Sequence, residues 1–203
     1  MTVPGRTCGL NKKGTGTFTL WGDALYTGST TVSNGTLAVN GYVAGPVRVG
    51  SPSGTVPVLG GLGTIAGNVP AARGRIAPGS SVGIQRTGNL SLDSASTLAI
   101  EINTNGVAGT DYDQVKVTGT VNLNSDSGVG SALAITLGYA PKVGEKFTII
   151  DNDGADGVNG TFGSGVDATY AGRTYHFIVN TQGGDGNDVV LERGPSGTTI
   201  TIR

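Results

Sequence analysis

Fourteen acidic side chains, one histidine and one cysteine are most of what this chain offers to chemistry. Carboxylates come first. "DYDQVK" sets Asp111 and Asp113 two residues apart with Lys116 close by, and on an extended segment the two would share a face and perturb one another. Sugar cleavage needs such carboxylates converging beside a bound ring, but Asp at a strand entry is also a common turn-forming residue. "DNDGADG" (151–157) gathers Asp151, Asp153 and Asp156 among glycines. Its likeness to an EF-hand loop fails at position five, Ala155, and position twelve, Phe162. "GGDGNDVVL" (183–191) fits the nonapeptide whose tandem copies hold calcium through carbonyl and Asp oxygens. One copy leaves most ligand positions empty, so Asp185, Asn187 and Asp188 also read as a tight turn before a strand. The candidate metal ligands are therefore Asp151, Asp153, Asp156, Asp185 and Asp188, with calcium as the cation and no other cofactor. A Ser-His-Asp relay would have to use His176, which shares the more polar face of "TYHFIVN" with Thr174 and Ile178 and reads as solvated. One His and one Cys make no zinc site. No catalytic residue emerges, and the expectation is a non-enzyme.

The elements that would carry these residues announce themselves through glycine. There are 37 among 203 residues, with 13% charged residues and a net charge of −1. Thr, Ser, Asn and Val accompany the glycines, and helix formers are sparse, so the chain reads as nearly all β. Gly16-Thr17-Phe18, Gly35-Thr36-Leu37 and Gly54-Thr55-Val56 recur at nineteen-residue steps, and Gly74-Arg75-Ile76 follows. Thr31-Val32, Pro46-Val47-Arg48-Val49 and Gly63-Thr64-Ile65 lie between them. Such a period marks a β-solenoid with one coil per repeat over residues 1–103. Evenly spaced turns would also fit a sandwich. Over 104–203 the strands lengthen, loops intervene, and the solenoid continues toward a hairpin-rich cap or an exposed strand. If about ten coils stacked at ~4.8 Å, the rod would be on the order of 50 Å long. No basic run exceeds Lys12-Lys13, which argues against nucleic acid, and no apolar stretch is long enough to insert in a membrane. Cys8 has no intrachain partner. The opening residues lack the apolar core of a signal peptide.

"KKGTGTFTLWGDALYTGSTTVSNGTLAVNG" (12–41) resembles the autotransporter-associated β-strand repeat. "GLGTIAGNV" (61–69) and "IAPGSSVG" (76–83) are similar to its next coils, while "VPAARGRIAPG" departs from it through Pro70 and Arg73. "DYDQVKVTGTVNL", "FTIIDNDGADGVNGTF" and "GGDGNDVVL" are similar to the segment that ends such arrays. The resemblance implies a right-handed parallel β-helix in a secreted or surface-displayed bacterial protein, a stalk or adhesin passenger without enzymatic activity.

Solenoids expose unpaired strands at their ends, so end-to-end self-association is expected there. Thr198, Thr199, Ile200, Thr201 and Ile202 of "TTITIR" are the candidate pairing strand. A surface glycan or host receptor is the other expected partner. The competing function is a carbohydrate-binding or carbohydrate-cleaving β-helix, recognisable by two carboxylates beside an aromatic platform.

Overall fold

Short apolar alternations between glycine corners bury their inward side chains only by lying over one another. The computed structural model describes residues 8–51, 55–126, 130–162 and 165–195. The first coil comprises β1 (Leu10–Lys12), β2 (Thr17–Leu20) and β3 (Asp23–Ala24). The second has β4 (Thr30–Val32), β5 (Thr36–Val39) and β6 (Tyr42–Val43), and the third β7 (Val47–Gly50), β8 (Val58–Gly61) and β9 (Thr64–Ile65). The fourth has β10 (Val69–Ala72), β11 (Arg75–Pro78) and β12 (Ile84–Thr87), and the fifth β13 (Leu90–Leu92), β14 (Thr97–Ile102) and β15 (Gln114–Val117). The sixth is β16 (Val121–Asn122), β17 (Ala132–Leu137) and β18 (Lys146–Asn152). First, second and third members of the coils form three separate sheets. Pairing between successive coils is parallel throughout. A parallel β-helix is therefore the fold, as the period predicts, and a sandwich of facing antiparallel sheets is excluded.

Pairing aligns like with like. Phe18, Leu37, Leu59, Ile76, Leu98 and Leu133 form one inward column in the second sheet. Ala24, Val43, Ile65, Thr87, Val117 and Asn152 form another in the third. From Leu37 to Leu98 the first column is fully buried, each such side chain contributing roughly 1.5–3 kcal/mol. The departing segment fits as well. Pro70 lies on the outward side of β10, between buried Val69 and Ala71, and pairing with β7 is confined to Ala71 and Ala72, beyond the proline. Arg73 then turns the corner with φ at 60°.

The repeat length drifts for a physical reason. Thr36 pairs with Thr17, nineteen residues earlier, but with Val58, twenty-two later. Thr55 and Val56 are not in a strand, and Gly54 lies outside the described residues. Thr55 therefore does not open a strand, and β8 begins after Pro57. The later coils are wider because loops occupy 103–113 and 138–145. Among the described residues there are six coils and not ten. At about 4.8 Å per coil this gives a rod near 30 Å.

Glycine at the corners is required less for positive φ than for closeness. A Cβ on Gly63 would collide with the carbonyl oxygen of Gly41, and one on Gly41 with that of Gly22. At the next corner Gly67 stands in the same way over Gly45. None of Gly41, Gly45, Gly63 and Gly67 has positive φ; stacked backbones at these four leave no room for a side chain. Gly63→Ala should lower stability by about 3 kcal/mol or more, since backbone must shift. Gly157→Ala, where nothing lies within 4 Å, should stay within about 0.5 kcal/mol. Urea midpoints of the two variants check this, and equal losses would refute the close-packing account.

The C-terminal strands turn back. β19 (Gly165–Tyr170), β20 (Arg173–Gly183) and β21 (Asp188–Arg193) extend the third sheet, with β21 antiparallel to β18, β20 to β21 and β19 to β20. β19 packs against β17. Asn159 covers the outer edge of β16 by accepting from Leu123 N–H at 2.7 Å and donating to Val121 C=O at 2.9 Å. Phe162, Ala168, Tyr175 and Phe177 close the core. The end is thus capped by hairpins. Among the described residues β1, β2 and β3 have no strand on their outer side.

Candidate functional site

The second sheet's outward face carries a concavity that brings charged side chains together. Its floor is made of small residues, Ala38, Gly60, Ala77 and Ala99, which lets a groove of about 320 Å³ run across the coils. Arg75, Glu101 and Asp113 supply charge along it, and none of its lining residues is aromatic. Asp113 is 1% exposed. Its Oδ1 accepts Gly83 N–H at 2.8 Å and its Oδ2 accepts Glu101 N–H at 2.7 Å, tying the fourth coil to the fifth. Burial pushes this carboxyl up to about 7, with the Glu101 charge adding to the rise and the two backbone donors opposing it.

Asp111 does not join it. Its carboxylate accepts Val107 N–H at 2.6 Å within the loop that follows β14, so the expected shared face is absent: residues 111–113 form a turn and bridge, not an extended strand. Lys116 pairs with Asp151 at 2.7 Å, on neighbouring strands of the third sheet.

His176 lies on β20 opposite Asp167 of β19, with Nδ1 and Oδ1 2.7 Å apart on an exposed surface. Among the described residues its ring has a carboxylate partner and no hydroxyl partner. Gly79-Ser80-Ser81-Val82-Gly83 carries the Gly-x-Ser-x-Gly spacing, a signal the sequence reading missed. It forms the turn from β11 to β12 and leads into a strand, not into the helix that a nucleophile elbow requires. Cys8 is exposed and unbridged.

The candidate metal ligands divide. Asp151 points outward on β18 and is held by Lys116. Asp153 and Asp156 follow β18 in a turn, Asp185 sits in the turn between β20 and β21, and Asp188 opens β21. Asp188 is 8% exposed, and its Oδ1 accepts Asn152 N–H at 2.9 Å. Burial raises its pKa, and the charges of Asp151 and Asp185 raise it further against Lys116. Among the described residues no three His, Cys, Asp or Glu side chains are grouped to hold a metal. Thr198–Ile202 lie outside the described residues.

Residues 10–39, the first coil and the beginning of the second, match the model of the Passenger-associated-transport-repeat. The chain is 31% identical over 191 residues, 90% of its length, to an extracellular serine protease of Serratia marcescens, and spans 16% of that protein. Residues 10–39 thus match a passenger-type repeat, and the resemblance read from residues 12–41 is borne out.

Proposed function

We propose that this chain is a non-enzymatic structural module, a stalk or spacer within the passenger of a larger protein secreted by or displayed on a bacterium. The observation that carries the reading is the uninterrupted hydrogen bonding from coil to coil. Along the second sheet alone, Thr36, Val58, Arg75, Thr97 and Ala132 each donate their N–H to the preceding coil. Stiffness follows from that ladder, because bending the rod would break bonds on one side across many coils at once. Outward rows of Thr, Ser, Ala and Gly with a net charge of −1 keep the surface neutral, favouring reach over non-specific capture. The passenger-type repeat and the extracellular relative both point to a secreted or cell-surface location.

The protease activity named for the relative is not proposed for this segment, whose lone histidine faces a carboxylate on a surface hairpin. Incubating the purified chain with a fluorophosphonate probe for reactive serines should leave it unlabelled, while trypsin alongside is labelled. Stoichiometric labelling would overturn the structural reading.

Self-association, in this reading, uses β1, β2 and β3, because the opposite end is capped. Contact through one kind of end closes into pairs, whereas a fibre needs two complementary ends. Light scattering should therefore give monomers or dimers; concentration-dependent fibres would restore the head-to-tail arrangement.

A further inference from the structure

The two aspartate loops that look separate in the sequence close on one another at the capped end. Asn152 terminates the inward column of the third sheet and is 1% exposed. Its Nδ2 donates to Asp156 C=O at 2.8 Å. From the other loop comes Asn187, 5% exposed, whose Nδ2 donates to Gly154 C=O and reaches Asp156 C=O at 3.4 Å. Both amide nitrogens are thus committed to the 154–156 turn, and each amide oxygen is held covalently beside its nitrogen. Those oxygens, Asn152 Oδ1 and Asn187 Oδ1, are buried without a donor, and so is Asp156 Oδ2. Flipping an amide offers no remedy, since it would set an oxygen against the carbonyls of Gly154 and Asp156.

Three buried oxygens without a proton donor are unusual in a native structure and call for an explanation. The surroundings supply one. Asp153, Asp156 and Asp185 lie in these two turns, Asp151 and Asp188 stand on the strands beside them, and the nearby cation, Lys116, is already bonded to Asp151. A Cβ at Gly154 would meet Asp156 Oδ1, so the turn is built around that carboxylate. The available donors are oxygens of amide and carboxylate type, with neither thiol nor imidazole, which suits a hard cation. Irregular loops with mixed carbonyl and carboxylate oxygens match the tolerant coordination of calcium better than the strict octahedron of magnesium.

We infer that the turn after β18 and the turn before β21 together form a calcium-class cation site, with Asn152 Oδ1, Asn187 Oδ1 and Asp156 Oδ2 as protein ligands. Solvent and carbonyl oxygens of the two turns would complete the shell. Neither loop suffices alone, and the ligand set includes two asparagines where the sequence pointed to aspartates. The ion would fasten the end of the sixth coil to the returning strand and so lock the cap.

Titrating CaCl2 into the EDTA-treated full chain should give one saturable heat by calorimetry. At calcium about a hundredfold above Kd, Tm should rise by roughly 5–10 °C. Asp156→Asn, which removes a charge at constant shape, and Asn187→Ala should abolish both responses while keeping the strand signal in circular dichroism. If a variant does not fold, the wild-type chain in equimolar MgCl2 decides: a smaller shift than in CaCl2 supports the site, an equal one overturns it. No heat and no shift up to about 10 mM calcium, beyond the range of extracellular modules, would also overturn it.

Discussion

Phe147→Ala should lower the unfolding free energy by about 3–5 kcal/mol, the largest loss expected from a single substitution in the interior, with Tm falling on the order of 10 °C. Phe147 is fully buried. Its ring meets Tyr112 edge-on with centroids 5.4 Å apart and an interplanar angle of 82°, and meets Phe177 at 6.3 Å and 63°. These three rings come from the turn before β15, from β18 and from β20, so one side chain joins the fifth coil, the sixth coil and the cap. Truncation leaves a cavity that neither of the other two can fill, since Tyr112 is held by bridges to Ile102 and Ala108 and Phe177 by its strand pairing. Phe147→Leu retains most of the volume and should cost clearly less. Urea denaturation followed by far-ultraviolet circular dichroism checks the pair. Losses under about 1 kcal/mol for the alanine variant would show that the cap does not depend on this contact.

Asp113 should make stability fall as pH rises from about 4 to about 7. Its carboxyl ordinarily titrates near 3.8, but burial raises it to about 7 in the folded chain. Between those values the native state holds a proton that the unfolded state has released, so unfolding becomes progressively easier with increasing pH. Above about 7 both states are ionised and this contribution levels off. The full linkage is on the order of 4 kcal/mol. Asp113→Asn removes the titration and should flatten that part of the pH profile relative to the parent. It should not be neutral at low pH, because its amide NH2 would face one of the two N–H donors of Gly83 and Glu101. Parallel slopes for parent and variant across pH 4–8 would sink the assignment.

The coils were legible because their information is local. Thr17 and Thr36, with Phe18 and Leu37 after them, repeat type, spacing and alternation together, and the observed register pairs them directly. The third Gly-Thr misled for an equally local reason. Three extra residues before Val58 displaced the strand while leaving the dipeptide behind. What could not be read were outcomes decided between distant segments. β19 carries a mixed pattern, Gly-Val-Asp-Ala-Thr-Tyr, and becomes a strand because β20 pairs with it. The alternation of "TYHFIVN" around Tyr175 and Phe177 marks a strand but not its direction, so the antiparallel pairing of β20 with β21, and of β21 with β18, was hidden. The candidate site follows the same division. Asp156 and Asp188 stood out by charge, whereas Asn152 and Asn187 matter only because folding strips donors from their oxygens.

The coil-on-coil pairing has a hereditary corollary. Each winding offers its upper neighbour backbone donors and acceptors like those it takes from the one below, and most interior positions continue with another apolar side chain. A tandem duplication or deletion of one whole winding would therefore leave the coil-to-coil ladder and most of the apolar interior in place. Lineages could lengthen or shorten this rod in increments of about 4.8 Å, each step nearly silent for folding, while the hairpins at its finished end travel unchanged.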